Sequence, residues 1–161
     1  MSKKRLSAFI AHSFDPKDKQ ITHKLKKILM KLGVRPITGD IGVEPPAEQV
    51  LKRMKESDFV LVLLTKRYPI MDEDSEEWMT SEWIYNEIGM AYALKKPMIF
   101  LCERDLRQGG IMETVAGVQY FKRERFPYIV PRLGQLLSEV REKLCTDSKG
   151  QTRMTEFIGD E

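Results

Sequence analysis

The chain lacks most of the signals that identify a function directly. It has two cysteines, Cys102 and Cys145, in 161 residues. Two are too few for a disulfide framework, and they lack zinc-ligand spacing, with only His12 and His23 to help them. A reducing cytoplasm is therefore the expected compartment. No apolar run approaches the ~20 residues of a membrane span. The basic start, Met1 to Arg5, is followed by a short strand-like run without a small-residue cleavage pattern, so no signal peptide is expected. Charge of one sign is not in excess: 27 Lys and Arg face 24 Asp and Glu, a net +3. That balance does not predict nucleic-acid binding. The nucleotide motifs G-x-x-x-x-G-K-[ST] and G-x-G-x-x-G are absent. No nucleophile elbow appears. Thr65-Lys66 stands where a receiver-type phosphoacceptor would need an aspartate after the third strand. Internal repeats and low-complexity segments are missing too.

What is present fits one soluble globular domain. The apolar fraction is 42% and the charged fraction 32%, and domains usually run to about 100–150 residues. Leu6–Ala11, Val34–Thr38, Phe59–Leu64, Met98–Cys102 and Val118–Phe121 are short apolar runs that predict strands. Phe59–Leu64 is apolar throughout, as a central parallel strand covered on both faces should be. Between them lie helical patterns. Ile21, Leu25, Ile28, Leu29 and Leu32 recur at helical spacing over Lys17–Leu32, and Gly33 stops that helix. Further helices are predicted over Ala47–Lys55, Ser81–Leu94 and Pro131–Leu144, with a polar, frayed tail after Cys145. Pro69–Glu77 is expected to be a loop, and Gly109-Gly110 lies in an irregular segment.

Strands alternating with amphipathic helices imply right-handed βαβ units. The expected fold is α/β, a flavodoxin-like three-layer sandwich: a five-stranded parallel sheet in the order 2-1-3-4-5 with helices on both faces. Ligands of such sheets sit outside the carboxyl ends of the strands. That rim would carry His12-Ser13-Phe14, Gly39-Asp40, Thr65-Lys66 and Glu103-Arg104.

The most informative stretch is Ser81–Ala93. Trp83 and Glu87 are four apart and share a helical face, as do Gly89 and Ala93, whose small size would let the helix approach the sheet closely. An indole offers a flat surface for a base or nicotinamide ring, and a carboxylate can face a ribose. Spacing alone leaves other readings open. A helix glutamate is more often solvated, and a tryptophan is more often packing. His12 alone is more often a hydrogen-bonded structural histidine than a catalyst. Asp72–Glu77 reads as a solvated loop, the lysine-rich face of the first helix as solubilising, and Trp78 as a packing anchor more than a second lip of a pocket.

In their order and spacing these segments resemble prokaryotic Toll/interleukin-1 receptor (TIR) domains. Phe9-Ile10-Ala11-His12-Ser13 with Asp18 is similar to the family's opening strand and first loop. Gly39-Asp40 through Pro46 falls where the family has its BB loop. Ser57-Asp58 before the third strand, Ser81-x-Trp83-x-x-x-Glu87 and Lys96-Pro97 before the fourth follow in register. The resemblance covers Leu6–Leu144 and implies a single TIR-like domain over residues 1–145, with 146–161 as the tail. It departs from the family at Asp15-Pro16, at Pro45-Pro46 and in the acidic loop before Trp78.

The resemblance implies an NAD+ glycohydrolase or cyclase. Such an enzyme cleaves the nicotinamide–ribose bond to give ADP-ribose or a cyclic ADP-ribose, in prokaryotic immune signalling or defence. Glu87 would be catalytic. His12, Ser13, Phe14, Asp40 and Trp83 would bind NAD+ or a related nucleotide. NAD+ is then substrate, and no cofactor or metal is implied. Self-association, or another TIR-containing chain, is the implied partner; nucleic acid and membrane are not. One carboxylate suffices chemically, because the cationic nicotinamide leaves without a proton, unlike an ordinary glycoside's leaving group. The alternatives are a nucleoside 2-deoxyribosyltransferase-like enzyme, similar in Glu87-Ile88-Gly89 through Lys96-Pro97, a non-catalytic TIR interaction module, and a nucleotide-binding domain without turnover.

Overall fold

The computed structural model describes residues 4–38, 47–107 and 118–157, with side chains to residue 149. Asp40, the rest of the 39–46 loop and Gly109-Gly110 lie outside the described residues.

The predicted alternation forms the predicted sandwich. In chain order the strands and helices are β1 (Leu6–Ala11), α1 (Lys19–Lys31), β2 (Val34–Ile37), α2 (Ala47–Glu56), β3 (Phe59–Leu64), β4 (Tyr68–Pro69), β5 (Trp78–Met79), α3 (Glu82–Ala93), β6 (Met98–Glu103), β7 (Val118–Phe121) and α4 (Val130–Phe157). Five strands make one parallel sheet in the order β2-β1-β3-β6-β7. Counting only these five, that is the order 2-1-3-4-5.

Strand side chains alternate between faces, and each face has its own core. Ala8, Ile10, Leu61, Leu63 and Leu101 pack with Leu25 and Leu29 of α1 and Leu133 and Leu137 of α4. Phe9, Ala11, Val60, Val62 and Phe100 pack with Met54 of α2 and Ile84, Ile88 and Ala91 of α3. Pro36 donates nothing to a ladder and sits on β2, an edge strand, where that is tolerated. Gly33, at φ +78°, takes the left-handed conformation that closes α1.

Three expectations change. The Pro69–Glu77 loop is the tip of a small antiparallel hairpin, β4–β5, which pairs Tyr68 with Met79 and Pro69 with Trp78. Trp78 also exchanges backbone hydrogen bonds with the segment after β6, at Asp105 and Arg107. The last helix does not end at Leu144 but runs to Phe157. No proline interrupts it, and Thr146 and Ser148 return their hydroxyls to the carbonyls of Glu142 and Leu144. Gly89 does not mediate close packing. A Cβ there would meet no atom within 4 Å, and Ala93 is exposed. The face of α3 turned to the sheet is Ile84, Glu87, Ile88 and Ala91.

Candidate active site

β1 ends at Ala11, and the next residues turn outward at the carboxyl edge of the sheet. The His12 Nδ1–H donates to the Ser13 carbonyl at 2.9 Å, which fixes the ring's orientation. The His12 and Phe14 rings lie 4.9 Å apart between centroids, tilted by 44°. The Ser13 hydroxyl accepts from the Asp15 N–H at 3.1 Å. Asp15 caps the short 3-10 turn Pro16–Asp18 by accepting from the Lys17 N–H. Arg67, just past β3, forms an ion pair with Asp15.

Opposite this loop stands the first turn of α3. Together they enclose a cleft of about 630 Å³. His12, Ser13, Phe14 and Trp83 all line it. Glu87 does not. It is 2% exposed and lies one turn further along α3, where its Oε1 accepts from the Trp83 indole N–H at 3.2 Å. The indole is thus the cleft's link to the carboxylate. A buried ionised carboxylate is costly to desolvate and persists only when its oxygens are satisfied.

Sequence reasoning missed Asp15, Arg67, Tyr68, Ser81, Glu82 and Asn86 as cleft residues. Ser81, Glu82 and Asn86 could have been found from Trp83, since they share its helix turn. Arg67 could have been found as the residue following Thr65-Lys66 on the rim.

Thr65, Lys66 and Glu103 of the rim take part in a separate ionic clasp. The Arg123 guanidinium donates to Asp18 Oδ1 at 2.6 Å and to both oxygens of Glu103, at 3.1 and 3.0 Å. Thr65 donates to Asp18 Oδ2, and the Lys66 N–H donates to Glu103 Oε2. Burial alone would raise the Glu103 carboxyl. The hydrogen bonds from Arg123 and Lys66 outweigh it and hold the group below the ordinary carboxylate value. The same bonds hold Arg123 still more firmly protonated. Cys102 sits beneath, its thiol pushed up to about 12 by burial and by the Glu103 charge. Among the described residues no cluster of His, Cys, Asp and Glu could hold a metal ion. No helix among them is long and apolar enough to cross a membrane.

No protein-family model and no curated protein matches the chain. Solved structures do. A CMP N-glycosidase of Clostridium botulinum, BcmB, is 19% identical, with 79% of this chain and 97% of that one covered at a TM-score of 0.51. A 2-deoxyribosyltransferase of Bacillus psychrosaccharolyticus is 14% identical over 77% and 90%, at 0.48. The TIR domains of the activated Roq1 resistosome are 15% identical over 62% and 58%, at 0.45. The likeness to the first is one of fold.

Proposed function

We propose that the chain cleaves the N-glycosidic bond of a nucleotide, with Glu87 as the carboxylate that meets the sugar. The observation that carries this reading is the Trp83 indole N–H held on the Glu87 carboxylate beside the cleft at the carboxyl edge of the sheet. Breaking a bond between a base and ribose develops positive charge at the anomeric carbon. A preorganised carboxylate stabilises that charge in the transition state, or attacks the carbon to form a glycosyl-enzyme that is then transferred to water or another acceptor. Trp83 provides an apolar plate for the departing ring.

Two substrate classes follow. The TIR resemblance favours NAD+, whose cationic nicotinamide needs no proton to depart. The fold shared with a CMP N-glycosidase favours a pyrimidine nucleoside monophosphate. A neutral pyrimidine leaves readily only if protonated, so that substrate would also require a donor such as Tyr68 or Glu82 in the cleft. The test is chromatography of the products from NAD+, CMP and pairs of deoxynucleosides, over a range of protein concentrations because the resemblance implies self-association. Nicotinamide release supports the TIR-type reading, cytosine release the nucleotide N-glycosidase, and base exchange the deoxyribosyltransferase. No release from any of them at high protein concentration, or release untouched by Glu87→Gln, sinks the proposal.

A further inference from the structure

Two exposed features at the carboxyl edge of the sheet carry opposite charge. The first is the tip of the β4–β5 hairpin, which follows β3. Met71 stands 95% exposed there, and Asp72, Glu73, Asp74 and Glu76 are exposed beside it. The tip is a shaped turn. Asp72 accepts from the Asp74 N–H, the Ser75 hydroxyl accepts from the Glu77 N–H, and the Ile70 N–H donates to the Glu77 carbonyl at 3.0 Å. Glu77, at the base, is paired with Arg107. Among the described residues none of the other four acids has a cation within ion-pair distance.

The second feature is a pocket of about 350 Å³ beyond the ends of β6 and β7. Phe121 and Ile129 back it and are buried, and Tyr128 lines it while 81% exposed. Arg104, Lys122 and Arg125 supply its cations. All three are exposed, and among the described residues none of their side chains has a hydrogen-bond or ion-pair partner. Arg123, which lies between Lys122 and Arg125 in the chain, is by contrast engaged with Asp18 and Glu103. The clasp thus fixes the backbone that carries two of the pocket's cations.

We infer that the hairpin tip of one copy seats in this pocket of a second copy. Within one chain the two do not meet, since the four acids of the tip and the three cations of the pocket make no pair with one another. Opposite potentials steer such surfaces together and suppress wrong partners. The match is apolar as well. Met71 precedes the acids, Tyr128 and Phe121 adjoin the cations, and a thioether packs well on aromatic rings. Methionine, tyrosine and arginine are also residue types that interfaces favour. Each copy carries both halves, so two copies can engage reciprocally and close a symmetric pair. One hairpin tip covers little surface, so the association should be weak and sensitive to salt. The contact concerns assembly and does not depend on which bond the cleft breaks.

Sedimentation velocity of the full-length protein over a wide concentration range, at low and high salt, reads the contact. At low salt the mass should rise above the monomer with concentration, and it should fall back as salt is added. Lys122→Glu/Arg125→Glu and Asp72→Lys/Asp74→Lys should each weaken self-association at least about tenfold while melting as the unaltered chain does. Mixing these two variants should restore it, because each offers the half that the other lacks. Lys24→Glu/Lys27→Glu makes the same change in net charge as the pocket variant, on exposed lysines of α1, and should leave association in place. Tyr128→Ser should weaken it without altering the charge. A monomer at every concentration, association kept by either reversal, no recovery on mixing variants that melt normally, or an equal loss in the α1 variant would overturn the contact. A chain that stays monomeric yet binds a fluorescent single-stranded oligonucleotide through Lys122 and Arg125 would give the pocket to a polyanion and overturn it too.

Discussion

Trp83 and Glu87 are joined side chain to side chain, the indole N–H donating to Oε1 at 3.2 Å across one turn of α3. The bond lets an exposed edge of the cleft report on a carboxylate that is itself buried. Glu87→Gln keeps the shape and removes the charge, so base release should fall at least about a thousandfold. With NAD+, whose leaving group needs no proton, Glu82→Gln at the open edge of the same helix turn should change it little. Product chromatography on both variants checks the difference.

Trp83→Phe separates the two roles of the indole. It keeps an aromatic plate and deletes the N–H, leaving a buried carboxylate oxygen short of one donor. The expected cost is about 1–3 kcal/mol of folding stability. Activity should drop less than in Glu87→Gln, and through kcat more than KM, because the ring that holds the base is still there. Urea titration and steady-state kinetics measure the two effects.

The Arg123 clasp should behave as a buried ionic centre. Asp18 is 1% exposed and Glu103 7%, so Arg123→Met leaves two buried carboxylates without their cation, at about 3–5 kcal/mol. Lys4→Ala, which breaks an exposed pair with Asp58, should cost about 0–1 kcal/mol. The pH dependence has a definite sign. Glu103 has a native value below its ordinary 4.5, so its contribution is fully present above that value. It is lost as pH falls through the native value. The stability gap between the unaltered chain and Arg123→Met should therefore narrow below about pH 4.5, as urea midpoints at pH 7, 5 and 3 would report.

The two cysteines should react at very different rates. Cys145 is exposed, whereas Cys102 is buried with its thiol pushed up to about 12. The thiolate is the reacting form. A colorimetric thiol reagent at pH 8 should find one fast thiol in the native protein and the second only in denaturant. Cys145→Ser should remove the fast phase entirely.

The sheet was legible because its strands are short apolar runs and its helices amphipathic, both local signals. Strand order followed from the βαβ alternation. Trp83 and Glu87 were legible as a pair because four residues on a helix fix a shared face. The clasp was not. Asp18 and Arg123 are 105 residues apart, and Asp18 and Thr65 are 47 apart. No local pattern marks charges that meet only after the sheet has closed. The β4–β5 hairpin was hidden for a related reason: each strand has two residues, too few for period-2 alternation to register. The extension of α4 past Leu144 is not legible because Cys145–Phe157 is largely polar and has no regular apolar stripe, although no proline there stops a helix.

Gly89 is the place where a plausible sequence inference can be tested by stability. Small residues at 89 and 93 suggested a close helix–sheet contact, which a new methyl group would disrupt. The structure has open space there instead, with helical backbone and no positive φ. Glycine in a helix interior then only adds entropy to the unfolded chain, so Gly89→Ala should stabilise by about 0.5–1 kcal/mol. For a domain of this size that is a rise of about 1–4 °C in Tm. Gly33→Ala is the matched control. Its φ of +78° is costly for any residue with a Cβ, so that variant should lose about 1 kcal/mol. Calorimetry of the two side by side decides between the readings. A fall in Tm for Gly89→Ala would restore the close contact, and a rise beside a fall for Gly33→Ala would assign α3's packing to Ile84, Glu87, Ile88 and Ala91.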